Sequence, residues 1–272
     1  MLLREVEYAR PATVEEAVRL LAANDGARAL AGGQTLINVM KARAASPDVL
    51  VDLNGLDDLR AIHTGRDGLE LGAMVTYAQI IAASEVEVTR PIVGEVCAQI
   101  ADVQVRNQGT IGGNVCANDP TNHLPPLMAA LGATMTIVGG GGERSVPAAE
   151  FFLGVYLTAV GPGELLTKVT VPPPNGAGDG FAAVPIGKDG TCIVNAAATV
   201  AGGEARVAIG CVSAVPELVR PTSTDEQAVR EAVRGAELDP PSDFHASADY
   251  RRHLAGTLAV RAVRQAVERA RS

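Results

Sequence analysis

Two glycine-rich segments hold the residues best suited to chemistry: Ala31-Gly32-Gly33-Gln34-Thr35 and Thr110-Ile111-Gly112-Gly113-Asn114. Each reads as a turn at the end of an apolar, strand-like run. Such turns expose backbone N–H groups, and glycine lets that backbone approach an anion with no Cβ in the way. Two of them, far apart in the chain, point to loops converging on one large cofactor with a pyrophosphate, the signature of a flavin site. A Gly-Gly pair alone is weak evidence, because ordinary turns use it too. The competing phosphate motifs are missing: the sequence has neither G-x-x-x-x-G-K-[ST] nor G-x-G-x-x-G.

The elements that must position these turns can be read from caps and periodicity. Thr13-Val14-Glu15-Glu16 is a capping box, followed by Val14, Ala17, Val18 and Leu21 at helical spacing and a stop at Asn24-Asp25-Gly26. A strand over 27–30 runs into the first glycine turn, a short helix covers 36–41, and a strand spans 48–53. That order is an α/β unit. Beyond it come a strand at 69–73, a helix opened by Thr76-x-x-Gln79, and a helix from Pro91 to about 101 with proline at its start. The end of 120–131 is helical, and 134–138 with 144–146 flank Gly139–Gly142 as a hairpin. A strand at 164–171 meets Pro172-Pro173-Pro174-Asn175-Gly176-Ala177-Gly178-Asp179-Gly180, the best linker in the chain. Strands at 181–186, 195–200 and 205–213 follow, with Gly202-Gly203 as a turn. Two helices close the chain, the last over about 248–269.

Composition limits the functions open to this protein. With 272 residues, 47% hydrophobic and 20% charged, the chain has ample material for a core. A net charge of −8 and only 3% aromatics, with no Trp, argue against a nucleic-acid face. Cys97, Cys116, Cys192 and Cys211 lie far apart with no C-x-x-C, which excludes zinc or iron–sulfur spacing and reads as buried or near-site thiols in a reducing compartment. No signal-peptide core and no 18-residue apolar stretch are found, so a cytoplasmic protein is expected.

The surroundings of the second turn are more specific. Arg106-Asn107-Gln108-Gly109 precedes it, and Cys116-Ala117-Asn118-Asp119-Pro120-Thr121-Asn122-His123-Leu124-Pro125-Pro126 follows. In this stretch, in the A-G-G-x-[ST]-L segment ending at Leu36, in Leu71–Thr76 and in Glu164–Pro172, the chain resembles the FAD-binding medium subunits of the molybdenum hydroxylases. That family includes the carbon monoxide dehydrogenase medium subunit and the flavin domain of xanthine dehydrogenase. The resemblance covers essentially the whole chain, by pattern more than by motif in its last third.

The resemblance implies an α+β protein with the vanillyl-alcohol-oxidase-type FAD fold. Residues 1–175 would form the FAD-binding domain, as two α/β subdomains that break near 55–60, and 176–272 a smaller C-terminal domain of sheet and helix. Ala31, Gly32, Gly33, Gln34, Thr35 and Leu36, with Thr110, Ile111, Gly112, Gly113 and Asn114, would wrap the FAD. Leu166 and Ile100 match positions that pack near the flavin, though core packing explains them equally well. His123 stands where family members often carry Asp against the adenosine part, and Asp119 offers a substitute carboxylate. Gly190-Thr191-Cys192-Ile193 falls where some relatives place a shielding Tyr, so Cys192 is the nearest match. Arg106 is assigned to fixing its loop, and no catalytic or metal-binding residue is assigned.

By the same resemblance the chain would receive electrons from [2Fe–2S] clusters in a small iron–sulfur subunit. The molybdopterin cofactor would lie in a large subunit, within a dimer of heterotrimers, and the flavin would serve an external acceptor. A stand-alone FAD-dependent oxidoreductase and a flavin-free scaffold subunit are the alternatives.

Overall fold

The computed structural model describes residues 2–187 and 191–270. The chain opens with a three-stranded parallel sheet of β1 (Glu7–Ala9), β2 (Ala27–Leu30) and β3 (Val49–Asp52), in the order β1-β3-β2. Helix α1 (Val14–Ala23) and helix α2 (Leu36–Lys41) are its crossovers. Ala17, Val18 and Leu21, spaced for one helical face, pack against Val51, Leu53, Leu56 and Leu59. The expected capping box at Thr13 is half formed. Thr13 Oγ1 accepts from Glu16 N at 3.2 Å, but the Glu16 carboxylate reaches back one residue further, to Ala12 N at 2.8 Å.

Asp52 closes β3 and fastens this sheet. Its carboxylate accepts from the Tyr8 hydroxyl, from Asn54 N at 3.0 Å and from Asn54 Nδ2 at 2.7 Å. Burial works to raise its pKa, yet the Tyr8 and Asn54 hydrogen bonds and the Arg10 charge outweigh it and hold it below the ordinary value. Stability from this carboxylate is therefore complete above the ordinary carboxylate range and lost as pH falls through the depressed folded value. Asp52→Asn is expected to cost about 1 kcal/mol at pH 7 and to match the wild-type chain near pH 2.5, measured by urea unfolding at both pH values. An equal gap at both would show that the charge contributes nothing.

A five-stranded antiparallel sheet follows, made of β4 (Ile62–Gly65), β5 (Gly68–Gly72), β6 (Thr134–Gly139), β7 (Gly142–Pro147) and β10 (Leu165–Val171). Its order is β4-β5-β10-β6-β7. Between β5 and β6 run six helices: α3 (Tyr77–Ala82), α4 (Ser84–Thr89), α5 (Pro91–Cys97), α6 (Val103–Gln108), α7 (Ile111–Ala117) and α8 (Leu124–Leu131). A short α9 (Ala148–Phe151) leads to the small pair β8 (Phe152–Gly154) and β9 (Leu157–Thr158). Thr76 and Gln79 form the full reciprocal capping box expected of them. The helix expected to reach about 101 stops at Cys97, and Ala101 turns the chain with φ +46°. Arg106 donates to the carbonyls of Ile100 and Ala101, which fixes that turn as expected.

The last sheet is antiparallel, in the order β11 (Gly178–Ile186), β12 (Thr191–Ala201), β13 (Glu204–Gly210), β14 (Glu217–Val219). Helix α10 (Glu226–Arg234) and the 23-residue α11 (Ala248–Ala270) cover it. Alanines on both sides, such as Ala196, Ala198, Ala255, Ala259 and Ala262, let the helix lie close. Gly178 and Gly180, read as linker, belong instead to β11. A Cβ on either would fall 2.0 Å from a backbone carbonyl oxygen of α11, so these glycines serve close packing, not flexibility.

Candidate cofactor site

The two glycine segments do meet. A Cβ on Gly32 would lie 1.9 Å from the Gln108 carbonyl oxygen and 3.0 Å from Gly109 Cα. A Cβ on Gly113 would lie 3.7 Å from the Ala31 Cβ. The loop after β2 is thus laid directly on the chain entering α7, and Gly32 is the residue that permits it. Gly33 has φ +69°, in the left-handed region that favours glycine, and turns the chain into α2.

The setting of the second segment differs from the expectation. It is not the end of a strand: α6 precedes it, and its glycines lie inside the first turn of α7. The reason is the pair of N-caps. Asp102 accepts from Val105 N at 2.8 Å and Thr110 Oγ1 from Gly113 N at 3.0 Å, so each opens a helix. The segment is clamped along 73–77 by Tyr77 N to Gly109 O, Ile111 N to Val75 O and Gly112 N to Ala73 O. Gly112 is required there, because a Cβ would stand 2.6 Å from the Ala73 carbonyl oxygen. Ala73 N in turn bonds Thr167 O, which anchors the loop beside Leu166 on β10.

Side chains complete the surroundings. Gln34 Nε2 donates to Gly32 O at 2.9 Å, and Asn54 Nδ2 to Ala31 O at 3.3 Å, which stiffens the first loop. Thr35, at the N-cap of α2, is exposed and makes no capping hydrogen bond, leaving its hydroxyl available. Leu36 is half-buried as the first residue of α2. Asn114 is 8% exposed and donates through Nδ2 to the Tyr77 hydroxyl at 2.9 Å, while its Oδ1 is buried with no partner. A buried carbonyl oxygen left unpaired is expensive. Burial raises the Tyr77 phenol, so it remains a neutral hydroxyl.

The stretch after α7 ties this region to the last sheet. Asn118 adopts φ +39° and holds the β8–β9 pair through the Gly154 and Leu157 carbonyls. Asp119 accepts from Thr121 and from the Tyr156 hydroxyl, at 3.1 Å for the latter. Asn122 Nδ2 donates to Asn114 O, and Asn195 Nδ2 to Asn122 O. His123 is buried, stacked on Phe181 with ring centroids 5.7 Å apart, and its Nε2 is 3.4 Å from Cys192 Sγ. Of 190–193, Gly190 lies outside the described residues.

Leu166 and Ile100 both sit in the large core cluster. The sequence reading did not connect Tyr77, Asn122, Phe181 or Asn195 to these segments, and placed Cys211 only among buried or near-site thiols. Asn122 lay within the quoted motif and Tyr77 beside a recognised cap; Phe181 and Asn195 carry no local signal.

The residues present fit FAD. The Thr35 hydroxyl can donate to a pyrophosphate, the unpaired buried Asn114 Oδ1 can accept from a hydroxyl of its sugars, and two glycine-packed turns complete a polar, uncharged cradle. Among the described residues, no group of three or more His, Cys, Asp or Glu is placed to hold a metal ion, and no helix is long and apolar enough to cross a membrane.

Comparison with known proteins identifies the family. Residues 4–174 match the family model described as FAD binding domain in molybdopterin dehydrogenase, and 181–266 match that of the CO dehydrogenase flavoprotein C-terminal domain. The chain is 37% identical to the carbon monoxide dehydrogenase medium chain of Afipia carboxidovorans, over 100% of both chains. It is 32% identical to the glyceraldehyde dehydrogenase medium chain of Sulfolobus acidocaldarius, over 96% of this chain and 98% of that one. Its structure matches reconstituted CO dehydrogenase from Oligotropha carboxidovorans with a TM-score of 0.93 and 36% identity, over 99% of this chain and 100% of that one. The α+β chain belongs to the FAD-binding medium subunits of the molybdenum hydroxylases, the flavoprotein components of multi-subunit oxidoreductases.

Proposed function

We propose that this chain is the FAD-carrying electron-transfer subunit of a molybdenum hydroxylase, standing between the [2Fe–2S] clusters of a small subunit and an external acceptor. When bound, FAD supplies a ring that takes up and returns electrons. The chain's own residues bind and orient it. Ala31 to Leu36 and Thr110 to Asn114 form the cradle, with Thr35 Oγ1 and Asn114 Oδ1 the polar atoms free to meet it. The single observation that carries this reading is the seating of Gly32 on Gln108, which brings the two distant segments into contact. Ile100, Asp119, His123, Leu166 and Cys192 are proposed as its outer shell.

The large subunit would carry the molybdopterin cofactor and the substrate pocket, in a dimer of heterotrimers in the cytoplasm. The medium chains of a carbon monoxide dehydrogenase and of a glyceraldehyde dehydrogenase both match this chain over nearly its full length, which favours placing substrate choice on another subunit. The chain divides near residue 175 into an FAD-binding part, itself broken near 55–60, and a C-terminal part.

The test is a visible spectrum and metal analysis of the native complex isolated through this chain. Flavin with iron, molybdenum and two further chains is expected. Flavin on a solitary chain would mean a stand-alone oxidoreductase, and no flavin a scaffold. Within the chain, Asn114→Leu is expected to weaken FAD about tenfold with the fold intact, read by fluorescence titration and circular dichroism. Unchanged affinity would remove Asn114 from the site.

A further inference from the structure

A hollow opens between the last two helices. Helix α10 packs against α11, and between them lies a cavity of about 370 Å³. Its floor is apolar: Val233 is buried, Ala236 and Leu238 are half-buried, and all three belong to the core of the last sheet and its helices. The chain leaving α10 is held by successive backbone bonds. Gly235 N donates to Glu231 O at 2.9 Å, Ala236 N to Val233 O at 3.3 Å and Leu238 N to Ala236 O at 2.9 Å. The floor is therefore formed without any ligand.

The rim is basic. Arg230 and Arg234 stand four residues apart on one face of α10, and Arg252 and His253 come from α11. Arg230 Nε donates to Glu226 at 2.9 Å, and its Nη1 reaches over α11, 3.6 Å from where a Cβ on Gly256 would stand. Arg252 Nη1 donates to Asp249 Oδ1 at 3.0 Å. Neither Arg234 nor His253 has a side-chain partner among the described residues. Among those residues no carboxylate lines the hollow, since Glu226 and Asp249 hold their arginines from outside it.

Three guanidinium groups around one concavity repel one another unless an anion sits between them. That gathering is local, in a chain whose net charge is −8. The planar forks suit the several oxygens of a phosphate head, and His253 adds a ring donor. Small-molecule sites span about 300–1,000 Å³, so this one has room for a metabolite-sized anion and not for a dinucleotide. Arg234, Arg252 and His253 are exposed, which leaves the hollow open to solvent.

We propose that the α10–α11 hollow binds a small organic phosphate, its head held by Arg230, Arg234 and Arg252 and a short apolar stem laid on Val233, Ala236 and Leu238. None of these residues belongs to the FAD cradle, so the proposal stands or falls apart from that reading.

The experiment is calorimetric titration of the full chain with n-butyl phosphate, which joins a dianionic head to an apolar stem. A dissociation constant of about 1 mM or tighter is expected. Inorganic phosphate should bind about tenfold more weakly, because it buries no methylenes. Pentanoate, with one charge and two oxygens, should bind about fivefold more weakly. Arg234→Ala should weaken butyl phosphate about tenfold with an unchanged melting temperature, since Arg234 has no partner to lose. Arg66→Ala, at an exposed arginine in the β4–β5 turn, should leave binding as it is. Equal affinity for butyl phosphate and inorganic phosphate, or full affinity in Arg234→Ala, would leave only general attraction to a basic surface and overturn the proposal. Pentanoate binding as tightly would overturn the phosphate class. Binding by the isolated chain but not by the native complex would give the hollow to a partner subunit and overturn the small-molecule assignment.

Discussion

Gly32→Val is expected to weaken FAD binding about 100-fold and to lower the melting temperature, while Gly140→Val changes neither. The contrast comes from what each side chain would meet. At Gly32 even a Cβ falls 1.9 Å from the Gln108 carbonyl oxygen, and that oxygen belongs to backbone held by α6 and by the bond from Tyr77 N to Gly109 O. Neither side can give, so the loop after β2 must lift off the entry to α7. Overpacking of this kind costs about 1–3 kcal/mol, and the upper end converts to roughly 100-fold when the displaced loop is half of a binding site. Gly140, at the tip of the β6–β7 turn, has open space around it. Fluorescence titration with FAD and calorimetry decide the matter. Tight FAD binding by Gly32→Val would show that the two loops need not touch to make the site.

Asp179→Ala is expected to cost about 3–5 kcal/mol, a drop on the order of 10 °C in melting temperature. Arg90, at the start of α5, meets Asp179 on β11 at 3.1 Å, with side chains 2% and 8% exposed. Thr199 Oγ1 donates to the same carboxylate at 2.9 Å. Arg90 Nε is buried without a partner, so removing Asp179 leaves a charge with nothing to offset its desolvation. Arg90→Leu with Asp179→Leu together should recover most of the loss, because an apolar pair needs no partner. If the double variant is as unstable as the single one, packing and not charge explains the cost.

The pH dependence of this pair has the opposite sign from that of Asp52. Burial raises Asp179 above its ordinary value, and Arg90 and Thr199 offset this only in part. The folded chain then binds a proton more readily than the unfolded one, so this group's contribution to stability falls as pH rises from the ordinary carboxylate value through the raised one. Comparing wild-type unfolding with that of the double variant across acid pH isolates the effect.

The short-range features of this protein were legible in the residues themselves. The Thr76–Gln79 box, the β2–α2–β3 unit, the Gly139–Gly142 hairpin and the strands of the last sheet rest on signals within a few positions of one another. The second glycine segment was misplaced for the same reason. Asp102 and Thr110 were not read as caps; their role shows only where Val105 N and Gly113 N turn inward to them.

By itself, then, the sequence determined many of the secondary elements, the presence of the two glycine segments and, through a motif set spread over the chain, the family. Only the tertiary structure decided that Gly32 and Gly112 serve backbone contact, that Gly178 and Gly180 seat a helix, and that His123 lies against Phe181 and Cys192. The physical reason is range. Caps, turns and periodicity act between residues fewer than about five apart, and their cost is met locally. His123 and Cys192 are 69 positions apart, and what joins them is the packing of the last sheet on the first part of the chain, which no local pattern encodes.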